Sequence, residues 1–181
     1  MNKLTNTDLR FVVQNIPKDI RGYLKQYGGK LFIGGGFIRS VIASEKINDV
    51  DLFGINKDFL NILSDLIVQD RSNKGCKKHT SKNAITILTS DRIPVQLVTR
   101  WSYSNAEDLV KDFDFTVCQA VVFYNEELKS FDSCISESFY SDLAAKRLVY
   151  TSPVREEEAG GSLLRMVKYL KRGYNIQIHS I

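Results

Sequence analysis

Two short stretches of the chain carry residue types able to handle phosphate and a divalent cation. Gly34-Gly35-Gly36 follows the apolar run Lys30-Leu31-Phe32-Ile33 and precedes Phe37, Ile38, Val41 and Ile42, which recur at helical spacing. Glycines between a strand and a helix let backbone N–H groups approach a ligand closely, and the helix start adds a partial positive charge, so the unit suits phosphate oxygens. The string is neither the P-loop nor the dinucleotide-binding pattern, and it serves equally well as a tight structural turn. Downstream, Asp49-Val50-Asp51 places two carboxylates at i and i+2, on one face of a strand. Such a pair repels itself unless a cation intervenes. Mg²⁺ held by one or two carboxylates plus substrate phosphates is the usual arrangement in phosphoryl transfer, and two ions about 4 Å apart would bridge the attacking and leaving oxygens. The competing reading makes Asp49 a strand cap and Asp51 a solvated edge residue.

The elements that must position these residues follow from periodicity. Leu9, Val12, Val13 and Ile16 predict a short helix behind the capping candidates Asn6 and Thr7, and Pro17 starts a second with Ile20, Tyr23, Leu24 and Tyr27, stopped by Gly28-Gly29. Residues 49–53 read as a strand, and Leu60, Leu63, Leu66 and Ile67 as the helix after it. Three short apolar runs, around Cys76, at residues 84–88 and at residues 93–98, predict an antiparallel meander. Residues 105–111 predict a helical turn, 115–124 a long buried strand and 138–146 a short helix. Ser152-Pro153 offers a further helix start; Gly160-Gly161 interrupts the pattern, so the helix is secured only over residues 162–172, ended by Gly173.

Composition bounds the rest. A chain of 181 residues, 43% apolar and 25% charged, is ordinary for a globular protein and long enough to bury a core without staples. Cys76, Cys118 and Cys134 are odd in number and widely spaced, which favours small buried hydrophobes in a reducing cytoplasm over disulfides or zinc. No run approaches the roughly 18 apolar residues of a membrane span, and the N-terminus has no signal-like segment, so no membrane partner is expected. A net charge of +4 mildly favours a polyanion and decides nothing alone. Arg165, Lys168 and Arg172 at i, i+3, i+7 form a basic helix face, able to meet phosphates or simply solvated. Trp101 and Tyr103 could stack on a base, with aromatic packing the blander alternative. His79 and His179 read as surface residues, and Glu156 to Glu158 as helix-dipole stabilisation.

Read together, Gly34-Gly35-Gly36-Phe37-Ile38-Arg39-Ser40, a short connection, and Asp49-Val50-Asp51-Leu52-Phe53 resemble the signature of the polymerase-beta-like nucleotidyltransferases. The branch is that of bacterial poly(A) polymerases and CCA-adding tRNA nucleotidyltransferases. Asp114-Phe115-Thr116-Val117-Cys118-Gln119-Ala120 is similar to that family's Arg-Arg-Asp-Phe-Thr-x-Asn-Ala segment. Phe131-Asp132 with Asp142-Leu143, and Leu164-Arg165-Met166-Val167-Lys168-Tyr169, match its later positions in order and approximate spacing. The resemblance implies an α+β fold, a nucleotidyltransferase-type mixed β-sheet with flanking helices. It implies one domain over residues 1–181: N-terminal helices to 29, a catalytic-type core over 30–150, and a C-terminal helix and tail over 151–181.

It further implies transfer of a nucleoside monophosphate from an NTP, ATP or CTP, to an RNA or other hydroxyl acceptor, with Mg²⁺ or Mn²⁺ on Asp49 and Asp51. Gly34, Gly35, Gly36, Arg39, Ser40, Arg165 and Lys168 would bind nucleotide, and Asp114 is the nearest further acid. Four departures stand against full equivalence. Gln96 occupies the place of the family's third carboxylate; Asp112-Phe113 replace two arginines; Ser40 stands for an aspartate; and Glu158-Ala159-Gly160-Gly161-Ser162 replaces the Glu-Asp-x-x-Arg element that selects CTP or ATP. The chain also ends soon after the Leu-Arg helix, so the helical body that holds tRNA is expected to be absent. A catalytically weak nucleotide- or RNA-binding module, or a partner-regulated subunit, is the alternative.

Overall fold

The computed structural model describes residues 1–151 and 159–176. Helices α1 (Asn6–Asn15) and α2 (Lys18–Gln26) form where the two apolar stripes lie. Thr5, rather than Asn6 or Thr7, caps α1, its side chain accepting from the Asp8 N–H. Strand β1 (Leu31–Gly34) runs into α3 (Gly36–Ile42) through Gly35 at φ 74, a left-handed conformation that a side chain would strain. Strand β2 (Val50–Gly54) and α4 (Lys57–Asp70) follow, with Asp49 just ahead of β2. Asn56 caps α4 by accepting from the Phe59 N–H.

The expected meander is present as β3 (Lys77–Thr80), β4 (Ala84–Leu88) and β5 (Val95–Val98), each antiparallel to the next. Helix α5 (Ala106–Asp112) is capped by Asn105. The long strand expected over residues 115–124 is instead a 3-10 turn at Thr116–Cys118 followed by β6 (Ala120–Asn125). Alternation alone cannot register that break, because Phe115, Val117 and Cys118 are buried whether the backbone is extended or turned. Strand β7 (Ser130–Ile135), polar at its start, pairs with β6 and escapes a reading based on apolar runs. Then come α6 (Phe139–Ala144), β8 (Arg147–Leu148), α7 (Ala159–Lys171) and β9 (Asn175–Ile176). Helix α7 runs through Gly160-Gly161 and stops before Gly173 at φ 84. The Ser152-Pro153 start, the Glu156 to Glu158 run and His179 lie outside the described residues.

The main sheet has order β3-β4-β5-β2-β1-β6-β7 and is mixed: β2 pairs parallel with β5, every other neighbour antiparallel. One face, with Ile33, Leu52, Leu97 and Val122, belongs to the core that includes Val12, Ile20, Leu60 and Ile67 of α1, α2 and α4. The opposite face, with Phe32, Phe53 and Val121, packs under Leu109 and Val110 of α5. Helix α5 covers only part of that second face. The uncovered part, over β2 and β5, is where the cavity lies.

Candidate functional site

The register of β2 decides what the cavity contains. Phe53 faces Phe32 across the antiparallel pair with β1, and Asp51, two residues earlier, projects to the same side. Asp49, ahead of the strand, opens onto the same cavity of about 580 Å³, together with Gly35 and Gly36 of the turn. Both carboxyl groups are held above the ordinary value of 3.8. Burial pushes Asp51 up to about 7, assisted by repulsion from Asp49 and opposed by Arg165. Burial also raises Asp49, against the attraction of Lys168, Arg172 and Arg39. Two neighbouring carboxyl groups, both raised by burial and one of them further raised by the other, fit a divalent cation, which would supply the charge they lack. Among the described residues no three Asp, Glu, His or Cys side chains cluster as cation ligands.

The opposite wall comes from α7. Arg165, Lys168 and Arg172 all reach the cavity. Arg165 is bound to the Asp114 carboxylate at 2.7 Å, and Arg172 approaches Glu45 at 3.6 Å. Lys168 is exposed and forms no ion pair among the described residues. The basic face is therefore neither fully solvated nor fully open: one arginine is tied to a buried acid, the lysine faces the cavity mouth.

Arg39 is 3% exposed, and its guanidinium is occupied. Nε binds Glu45 at 3.1 Å, Nη1 donates to the Tyr169 hydroxyl at 2.8 Å, and Nη2 donates to the Ser40 hydroxyl at 3.2 Å. It braces α3 against α7 while one side reaches the cavity. Ser40 is buried with its hydroxyl on Arg39, and Gly34 sits under the Phe113 ring, so the structure sets these two behind the cavity wall rather than on it. A Cβ on Gly34 would lie 2.7 Å from Phe113 Cζ, and on Gly35 3.2 Å from its Cε1; the glycines are needed for this close approach as well as for the turn.

Gln96 lies directly beside Asp51 in the parallel pair and half-buried on the cavity floor. Tyr103 is buried edge-on to Phe53, with its hydroxyl donating to Asp112 at 2.9 Å, while Trp101 lines the cavity with the Arg100 guanidinium 4.7 Å above its ring. His79 is exposed on β3. Cys118 and Cys134 are buried and Cys76 half-buried, all free thiols.

Three contributors were not legible beforehand. Asp112 and Phe113, noticed in the sequence only for the arginines they replace, line the cavity. Glu45, a loop residue without a motif, gathers Arg39, Arg172 and the Tyr174 hydroxyl, the last at 2.6 Å.

Residues 3–146 match the sequence profile of the Gabija anti-defense 2 family, well over half of the chain. The chain belongs to the Gabija anti-defense 2 family. A relative in that family, Gabija anti-defense 2 of Bacillus phage SPbetaL7, is 30% identical over 145 residues, 80% of this chain and 34% of the relative. The chain thus spans about a third of the length of the curated relative it matches. Solved structures similar to this member of the family include the Thermotoga maritima CCA-adding enzyme complexed with tRNA, at TM-score 0.63 and 15% identity over 93% of this chain and 42% of that one. CCA-adding enzyme complexes with CTP and with ATP match at TM-score 0.65 and 16% identity, over 93% of this chain and 42% and 41% of theirs. The fold is that of a nucleotidyltransferase.

Proposed function

We propose that the cavity binds a nucleoside triphosphate with Mg²⁺ or Mn²⁺ and that the chain transfers the nucleoside monophosphate to a hydroxyl acceptor, in the service of the anti-defense role its family name carries. The observation that carries this reading is the convergence of Asp49 and Asp51 with the Gly35-Gly36 turn on one cavity, opposite Lys168 and Arg165. Asp49 and Asp51 would hold the cation, which when bound neutralises triphosphate charge and polarises the reacting phosphoryl group.

The remaining work falls to this chain's own side chains. Backbone groups of the glycine turn and the Lys168 ammonium hold the phosphates, and Arg39 keeps α3 and α7 at the spacing that lets them do so. The acceptor hydroxyl oxygen attacks the α-phosphorus and releases its proton to water, the bond from the α-phosphorus to the bridging oxygen breaks, and pyrophosphate leaves with the electron pair. Asp114 is a poor general base while its carboxylate is engaged by Arg165. In this reading residues 1–181 act as one domain in the cytoplasm; among the described residues no helix is long and apolar enough to cross a membrane.

Solved neighbours bound to CTP, ATP and tRNA make ATP or CTP the first nucleotides to test and RNA the first acceptor. Trp101 under Arg100 offers a stacking surface for an acceptor base. Likeness to poly(A) polymerases, as opposed to CCA-adding enzymes, rests on the motif resemblance alone, and ordered CCA addition is disfavoured by the replaced base-selecting element. Gln96 beside Asp51 favours a second reading, a nucleotide-binding module that transfers slowly or not at all.

Incubation with each α-labelled NTP, Mg²⁺ or Mn²⁺, and a pool of RNAs or proteins tests the proposal. Label joined covalently to an acceptor, pyrophosphate released, and loss of both in Asp51→Asn are the expected results. Nucleotide binding without any transfer would hand the lead to the binding module, and neither binding nor transfer would end both readings.

A further inference from the structure

Gln96 stands where the motif resemblance implies a third carboxylate, and the structure puts it beside Asp51 on the cavity lining. In the parallel pairing of β2 with β5 it faces Asp51, with Thr86 of β4 on its other side. Adjacent strands lie about 4.8 Å apart, so the amide and the Asp51 carboxylate are immediate neighbours on one face of the sheet. That face is the cavity floor, and the Gln96 side chain makes no hydrogen bond among the described residues.

A second cation beside Asp51 would need another carboxylate there, because two ions about 4 Å apart are bridged and balanced by shared acids. Among the described residues the candidates are committed. Asp114 is bound by Arg165 at 2.7 Å, Asp112 receives the Tyr103 hydroxyl at 2.9 Å, and Glu45 is held by Arg39 and the Tyr174 hydroxyl. An amide brings no charge, but its two N–H donors suit an anionic oxygen.

We propose that this site takes one divalent cation with its nucleotide, on Asp49 and Asp51, and that the Gln96 amide donates a hydrogen bond to a phosphate oxygen from the position a second cation would otherwise serve. The inference rests on the nucleotide site proposed above and specifies its cation stoichiometry. The chain therefore reads the triphosphate with one ion and a neutral donor, and the acceptor hydroxyl gains no acidity from a second ion.

Counting bound Mn²⁺ by electron paramagnetic resonance, with the unreactive analogues α,β-methylene-ATP and α,β-methylene-CTP, tests this without turnover. The parent chain should hold one Mn²⁺ per bound nucleotide and Gln96→Glu should hold two. Gln96→Ala should keep one Mn²⁺ and bind the analogue about threefold to tenfold more weakly, as loss of a single hydrogen bond requires. Two Mn²⁺ on the parent chain would overturn the inference, and one on both the parent and Gln96→Glu would overturn the role given to Gln96. No analogue bound by the parent chain would refute the nucleotide site itself, a result distinct from either. Should Gln96→Glu fail to fold, the parent's count and the affinity of Gln96→Ala decide.

Discussion

Asp51→Asn should make the cation-free protein more stable at alkaline pH while destroying its response to Mn²⁺. In the folded chain the Asp51 carboxyl is raised from 3.8 to about 7 by burial and by Asp49, so between those values the folded state keeps a proton that the unfolded state has lost. Stability from this group is therefore fully present below about pH 4 and declines as pH rises through 7. At 1.36 kcal/mol per tenfold change in proton affinity, the ionised carboxylate costs the fold roughly 4 kcal/mol, reduced to about 2 kcal/mol where cavity water screens it. Asparagine has nearly the same shape and never ionises. Urea unfolding in EDTA at pH 4, 6, 7.5 and 8.5 should show parent and variant nearly equal at the acid end and the variant ahead by about 2–4 kcal/mol at the alkaline end. Adding Mn²⁺ at pH 8 should stabilise the parent and leave the variant unmoved, because binding to the folded state alone is what shifts the equilibrium. A gap independent of pH, or a variant weaker than the parent at pH 8.5, would refute the claim that Asp51 is buried and repelled by Asp49.

Three other substitutions probe the supports of the site. Arg39→Met should cost about 3–5 kcal/mol in urea unfolding, since it strips the Tyr169 and Ser40 hydroxyls and Glu45 of a buried cationic partner; a loss under 1 kcal/mol would show that Arg39 does not brace α3 against α7. Gly35→Ala should cost about 1–3 kcal/mol through its φ of 74 and the Phe113 ring 3.2 Å from the new Cβ, and a thermal scan showing no change would contradict the geometry of the turn. Lys168→Ala should leave stability within about 0.5 kcal/mol, the side chain being exposed, yet weaken triphosphate binding about tenfold in calorimetry at low salt. Equal affinity in parent and variant would remove Lys168 from the nucleotide site.

Much of the frame was readable from local pattern. The strand, glycine turn and helix at residues 30–42 and the strands β4 and β5 of the meander follow from period and turn chemistry, which act within a few residues of chain, whereas β3, polar and exposed throughout, carries no apolar period. Where opposing signals met at one position the reading slipped: Gly160-Gly161 looked like a break, yet α7 passes through both. Propensity costs about 1 kcal/mol per glycine, and the packing of Tyr169 into the core, backed by the Arg165 to Asp114 pair, outweighs it. The buried 115–124 segment shows the converse, since burial without alternation says nothing of backbone shape.

The amino-acid order by itself determined which groups could share the chemistry, because i and i+2 on a strand and i, i+3, i+7 on a helix are properties of one element. It put Asp49 with Asp51 and Arg165 with Lys168 and Arg172. Which of those groups remain open was decided only by tertiary structure. Arg39, Arg71 and Arg165 are indistinguishable as letters, but Arg39 is enclosed by Tyr169 and Glu45, Arg71 is enclosed by Asp19 with Nε at 2.6 Å, and Arg165 is drawn onto Asp114. The partner of each lies 6 to 130 residues away in the chain, mostly on another element. Likewise the neighbour of Asp51 is Gln96 because β5 lies parallel beside β2, a pairing between segments 45 residues apart that no local period encodes. A charge is available to a ligand only when the fold has not already neutralised it, and that balance is struck between elements.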